Sequence, residues 1–279
     1  MKKALILEGG GMRGLYTAGI LDAMMDDDIK YNSIYGVSAG AVFGVNYLSK
    51  QKGRVLRYNK KYVNDKRYMG LKSWITTGNF INKQFAYYDM PFKLDVFDEK
   101  TYSKSKTNFY AVMTNIETGK AEYSKVVNCT IQIEDLRASS SLPFLSKPVE
   151  IDGKKYLDGG IADAIPIEKA LEDGYDKIVI VLTRPIEYRK KKSNQLLPKL
   201  FYHKYPKFVE SINTRYSRYN ETLDLIEKLQ KKKKVYVIRP SKLIEISRVE
   251  KDPNKLQAMY DLGVEDYKQL KKELLKYLK

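Results

Sequence analysis

The chain has 279 residues, 43% hydrophobic and 30% charged, with 51 Lys+Arg against 34 Asp+Glu for a formal charge of +17. That length and apolar content suit one buried core and exclude a disordered chain. One Cys (Cys129) and one His (His203) leave no intrachain disulfide and no Cys/His zinc site, so any chemistry runs through His203 or without histidine.

In chain order, Ala4–Leu7 reads as a buried-type strand ending in a glycine cluster. From Met12 to Met25, Leu15, Ala18, Leu21 and Met25 recur at helical spacing. Ser33–Val37 reads as a second strand and Ala39–Leu48 as a helix, a repeated strand–turn–helix unit that favours an α/β sheet with parallel strands. Residues 49–108 are less regular: a basic stretch, then aromatics from Trp74 to Phe92. Strand character returns at Phe109–Asn115 and Ala121–Tyr123, Ile133–Ser140 looks helical up to Pro143, and Val149–Leu157 reads as a hairpin about Asp152-Gly153. Lys177–Leu182 and Val235–Arg239 read as strands, and residues 206–230 and 255–278 as long helices. With no repeat and no clean linker, one domain over 1–279 is expected, with a catalytic core at about 3–185 and a basic helical part at about 186–279.

Three short motifs carry the chemistry. Gly9-Gly10-Gly11-Met12-Arg13-Gly14 has the form of a dinucleotide fingerprint, but the second strand ends in Tyr35-Gly36-Val37-Ser38-Ala39-Gly40 with no carboxylate for a ribose. What survives is a tight turn whose N–H groups meet negative charge at a helix start. Gly36-Val37-Ser38-Ala39-Gly40 is a G-x-S-x-G string between strand and helix, the context of a nucleophile elbow. Adjacent parallel strands bring both turns to one sheet edge, setting Ser38 beside donors suited to an oxyanion. Leu157-Asp158-Gly159-Gly160 follows the hairpin. A Ser38–Asp158–His203 triad in α/β-hydrolase order competes, but its nucleophile normally follows more strands, and His203 lies in an aromatic, basic stretch fit for a surface.

Together and in this order, GGGMRG, GVSAG and DGG make the chain resemble the patatin-like phospholipase family over roughly residues 3–185, and Arg137–Pro143 resembles that family's helix–proline segment. The resemblance implies a three-layer α/β/α sandwich with a mainly parallel sheet and a Ser–Asp dyad without histidine. Ser38 would be the nucleophile and Asp158 the residue that orients and deprotonates it. The N–H groups of Gly10, Gly11 and Met12 would form the oxyanion hole, with Arg13 supporting that loop or the bound anionic group. Gly9, Gly14, Gly36, Gly40, Gly159 and Gly160 would support the motifs. Neither a metal nor a cofactor is expected.

The expected substrate is a lipid or other carboxylic ester, with 67–92 as lid or acyl-chain pocket and peripheral contact with anionic membrane. The alternative is a non-catalytic binder of anionic lipid or nucleic acid that uses the basic surface. Residues 186–279 hold 24 basic against 12 acidic residues, yet no ordered aromatic/basic motif accompanies them, which disfavours nucleic acid. The N-terminus lacks the pattern of a secretory leader, and with the lone Cys a cytoplasmic location is expected.

Overall fold

Side chains along Lys3–Leu7 alternate between two apolar surroundings. Leu5 and Leu7 join one hydrophobic cluster, Ala4 and Ile6 another, as a strand covered on both faces requires. The computed structural model describes all 279 residues and extends this into an eight-stranded sheet. The strands are β1 Lys3–Leu7, β2 Ser33–Val37, β3 Asn108–Asn115, β4 Ala121–Lys125, β5 Val149–Ile151, β6 Lys154–Asp158, β7 Lys177–Val181 and β8 Val235–Ile238. Their order is β5-β6-β3-β2-β1-β7-β8, with β4 also on β3. The run β3-β2-β1-β7-β8 is parallel throughout, and β4, β5 and β6 join antiparallel.

The helices are α1 Leu15–Met25, α2 Ala39–Leu48, α3 Arg54–Tyr62, α4 Leu71–Thr77, α5 Glu99–Ser103, α6 Ile133–Ser139, α7 Ile167–Glu172, α8 Leu196–Phe201, α9 Pro206–Lys231 and α10 Pro253–Leu278. One face of the sheet is covered by α1, α2, α3 and α10, through residues such as Leu15, Phe43, Val55 and Leu256. The other is covered by α7 and α9, through Ile167, Ala170, Leu223 and Ile226. The result is the α/β/α sandwich. The irregular stretch 49–108 holds three helices and a π-helical segment, Gln84–Leu94, with Pro91 inside it. These are too short or too interrupted to show a clear apolar period.

The basic part beyond residue 185 is built into both layers. β8 pairs with β7, α9 covers one face, and α10 crosses α1 on the other. The α1–α10 crossing is close because Gly19 faces the Tyr260 carbonyl and Gly263 faces the Tyr16 carbonyl, where a Cβ on either glycine has no room. Three tyrosine–aspartate hydrogen bonds fasten it: Tyr16 to Asp266 at 2.9 Å, Tyr260 to Asp22 at 2.8 Å and Tyr267 to Asp27 at 2.6 Å.

The pairing of β3 positions the site. β4 and β2 both pair with residues 110–112 of β3, so they occupy opposite edges. β4 and β6 both pair with 113–114, so they too are on opposite edges. β2 and β6 therefore share one edge, running toward each other: Val37 ends opposite Val112, and Asp158 ends opposite the next residue, Met113. Ser38 and Asp158 are brought together by two strand ends meeting head to head.

Candidate active site

Ser38 occupies the sharp turn between β2 and α2 with φ +55°, a left-handed conformation costly for a non-glycine residue. The turn closes only because its neighbours lack side chains. A Cβ on Gly36 would lie 2.6 Å from Ala41 Cα, and one on Gly9 would lie 2.8 Å from Ser38 Cβ. Ser38 N–H donates to Ser139 Oγ at 3.0 Å, which ties the elbow to α6.

The Ser38 hydroxyl donates to Asp158 Oδ2 at 2.5 Å, and both residues are buried. The second carboxylate oxygen, Oδ1, accepts from Gly160 N–H at 2.8 Å. The backbone of Asp158 is held as well: its N–H donates to Ser141 O at 2.8 Å, and its carbonyl accepts from Thr114 Oγ1 at 2.8 Å. Arg215 of α9 donates through Nε to the Gly160 carbonyl. His203 is exposed, its ring hydrogen-bonds only with the Leu200 carbonyl, and it lines neither cavity at Ser38.

The glycine loop differs in part from the sequence expectation. Met12 N–H, expected in the oxyanion hole, donates to the Arg248 carbonyl at 3.0 Å, because the 241–252 loop lies against it. Arg13 N–H donates to Gly10 O at 3.3 Å, since Gly11–Gly14 forms a 3-10 turn. Gly10 and Gly11 keep N–H groups that donate to no group of the chain, and both line a cavity with Ser38. The Arg13 guanidinium is buried, and its Nε has no hydrogen-bond partner.

Two cavities meet at Ser38. The larger, about 120 Å3, has 21 hydrophobic residues among the 29 that line it, including Val42, Phe43, Met69, Phe80 and Met90. Much of the 67–92 stretch forms its wall, whereas Trp74 lies outside and stays exposed. The smaller, about 40 Å3, adjoins Ser38 and Asp158 and is lined by Arg13, Arg184, Lys190, Arg215 and Arg248, with Glu8 the other carboxylate. Burial, then repulsion from Arg184 and Arg248, pushes Arg13 down to about 10. Burial, then repulsion from Arg215, pushes Lys190 down to about 7. Sequence reasoning missed Arg184, Lys190, Arg215 and Arg248, which share no spacing. The only trace of the last three was the basic excess of the tail, and Arg184 left none.

Residues 5–171 match the model of the patatin-like phospholipase family, and residues 205–279 match a domain of unknown function, DUF6363. The chain is 30% identical over 200 residues to the uncharacterized protein YjjU of Escherichia coli, covering 65% of this chain and 52% of that one. It is 27% identical over 179 residues to the lysophospholipase NTE1 of Kluyveromyces lactis, covering 61% of this chain and 12% of that one. Against NTE1 of Saccharomyces cerevisiae the identity is 26% over 186 residues, covering 63% and 10%. The chain thus spans about half of the bacterial relative and about a tenth of the yeast ones. A structural match to VipD of Legionella pneumophila has a TM-score of 0.45 at 14% identity, covering 96% of this chain and 66% of that one.

Proposed function

The chain belongs to the patatin-like phospholipase family, and on that premise we propose that it hydrolyses carboxylic ester bonds of lipids, with Ser38 as nucleophile and Asp158 as base. The observation that carries this reading is the 2.5 Å bond from Ser38 Oγ to Asp158 Oδ2 on a strained strand-to-helix turn. Ser38 Oγ attacks the ester carbonyl carbon while its proton passes to Asp158. The oxyanion is met by the N–H groups of Gly10 and Gly11. Asp158 then returns the proton to the departing alkoxide, which leaves an acyl-Ser38 ester. Water attacks that ester, gives a proton to Asp158, and the acid is released as Ser38 Oγ is reprotonated. The apolar cavity beside Ser38 suits the acyl chain.

The test is labelling of the full chain with a fluorophosphonate. An adduct mapped to Ser38 is expected. A protein that hydrolyses esters but is modified elsewhere, or not at all, refutes the assignment, and absence of both label and hydrolysis favours the non-catalytic binder.

Contact with membrane is part of the same proposal. Leu71, Trp74 and Ile75 are exposed at i, i+3 and i+4 on α4, with Lys72 between them, and the chain flanking α4 lines the acyl cavity. No helix is long and apolar enough to cross a bilayer. Flotation with anionic vesicles is expected to carry the protein, and replacing Trp74 and Ile75 by serine is expected to weaken that. Failure to float with anionic or neutral vesicles removes the membrane role.

A further inference from the structure

The smaller cavity at Ser38 combines charge, burial and shape that the hydrolytic steps do not use. Five cationic side chains face it against two carboxylates, and none of the five makes an ion pair. Glu8 does not neutralise them by direct contact: its oxygens accept from Thr183 N–H at 2.6 Å, Thr183 Oγ1 at 3.0 Å and Tyr219 OH at 2.6 Å. Asp158 is committed to Ser38 and Gly160. Arg13 is buried, Arg184, Lys190 and Arg215 are half-buried, and Arg248 is exposed beside them. Clustered cations partly withdrawn from water without a counter-charge are unfavourable, and an anion relieves them.

The chemistry of that anion follows from the walls. A single water needs roughly 10–15 Å3, so a 40 Å3 cavity has room for a group near the size of phosphate. Tyr188 and Tyr219 are the lining aromatics that would cage a quaternary ammonium, but Arg184 already covers Tyr188 at 4.4 Å and Lys190 covers Tyr219 at 4.3 Å. A choline headgroup would meet cations on faces it needs.

We propose that this cavity is a subsite for a phosphomonoester, so that the favoured substrate is a glycerolipid ending in a bare phosphate. The inference rests on the hydrolase reading for the placement of the ester at Ser38, with phosphate in the basic cavity and acyl chain in the apolar one. Arg184, Lys190, Arg215 and Arg248 act as specificity residues. Three of them come from the part of the chain matched by no catalytic motif, which gives that part a role at the site.

The experiment measures binding and turnover separately. Full-length Ser38→Ala protein is titrated calorimetrically with dihexanoyl phosphatidic acid, dihexanoyl phosphatidylcholine and inorganic phosphate. Phosphatidic acid is expected to bind most tightly, and adding Lys190→Gln or Arg248→Gln is expected to weaken it roughly ten- to hundred-fold. In the Ser38 enzyme the same substitutions are expected to lower kcat/KM for phosphatidic acid relative to a neutral monoacylglycerol. Equal binding of the choline lipid, or phosphatidic acid affinity unmoved by both substitutions, overturns the proposal. Inorganic phosphate binding as tightly as phosphatidic acid also overturns it, in favour of a free anion. Hydrolysis of neutral esters without preference for phosphatidic acid sinks the subsite and leaves the hydrolase. Charge-dependent phosphatidic acid binding by a protein that cleaves no ester sinks the hydrolase and leaves the subsite.

Discussion

Replacing Gly263 by alanine sets two effects of opposite sign against each other. Gly263 lies inside α10, where alanine is the better helix former by about 0.8–1 kcal/mol. Propensity alone therefore predicts stabilisation. The crossing with α1 predicts the reverse, because the new methyl would run into the Tyr16 carbonyl, with Ile20 N only 3.1 Å away. Restoring van der Waals separation requires α1 and α10 to part by on the order of 1 Å. Overpacking of this kind costs about 1–3 kcal/mol, and the strain falls on the three tyrosine–aspartate bonds that hold the helices together. A methyl 2.2 Å from a backbone oxygen belongs at the upper end of that range, so the net expectation is destabilisation by about 1–2 kcal/mol, a fall in Tm of roughly 2–3 °C for a chain of this size. Urea unfolding followed by circular dichroism, with a thermal melt beside it, reads the sign directly. A Gly263→Ala protein more stable than the parent refutes the close crossing, and with it the view that the C-terminal helix is a structural part of the catalytic sandwich.

Asp158→Asn keeps an acceptor for Gly160 N–H but turns an amide toward Ser38, so hydrolysis is expected to fall roughly a hundred- to ten-thousand-fold with Tm little changed. Near-parental kcat in that purified variant removes Asp158 as base. Ser38→Ala is expected to abolish both turnover and fluorophosphonate labelling, whereas His203→Ala keeps most activity, and complete loss in the latter revives a triad. The affinity for a phosphomonoester is expected to depend on pH through Lys190, which faces Arg13, Arg215, Arg248, Glu8 and the ring of Tyr219. Its ammonium, pushed down to about 7, is lost in the empty cavity as pH rises through that value, and a bound dianion raises it again. Binding above pH 7 therefore takes up a proton, and affinity falls with pH, while below about pH 6 the ligand loses its second charge. Calorimetry at pH 8 in two buffers of different ionisation enthalpy measures that uptake, and none contradicts the Lys190 role.

What was legible in the sequence were features written locally. Ile178–Val181 and Ala4–Leu7 show continuous apolar runs because both faces of those strands are covered. Gly36, Ser38 and Gly40 show themselves because one turn needs them within five residues. The juxtaposition of Ser38 with Asp158 was not local. It follows from β3 pairing with β2 and then β6 along one edge, a register that no run of residues announces. Met12 was misassigned for a related reason: its N–H is taken by the carbonyl of Arg248, more than 200 positions away.

The net charge of +17 shows the limit most clearly. As a composition it permitted a solvated surface, a membrane face or a nucleic-acid patch, because a count carries no position. The fold separates these by geometry. Most of the C-terminal lysines are exposed, as a solvated surface requires. Lys190 and Arg215 instead are half-buried, and with the exposed Arg248 they line the small cavity, because α9 and the loops around 190 and 248 are folded over the C-terminal ends of the parallel strands, where the glycine loop and the elbow also lie. Charges from opposite ends of the chain thus converge within one small cavity beside Ser38. A basic tail is uninformative as a tally, but a few of its members, gathered in one cavity and left without carboxylate partners next to a nucleophile, state which sign of ligand the site is built to receive.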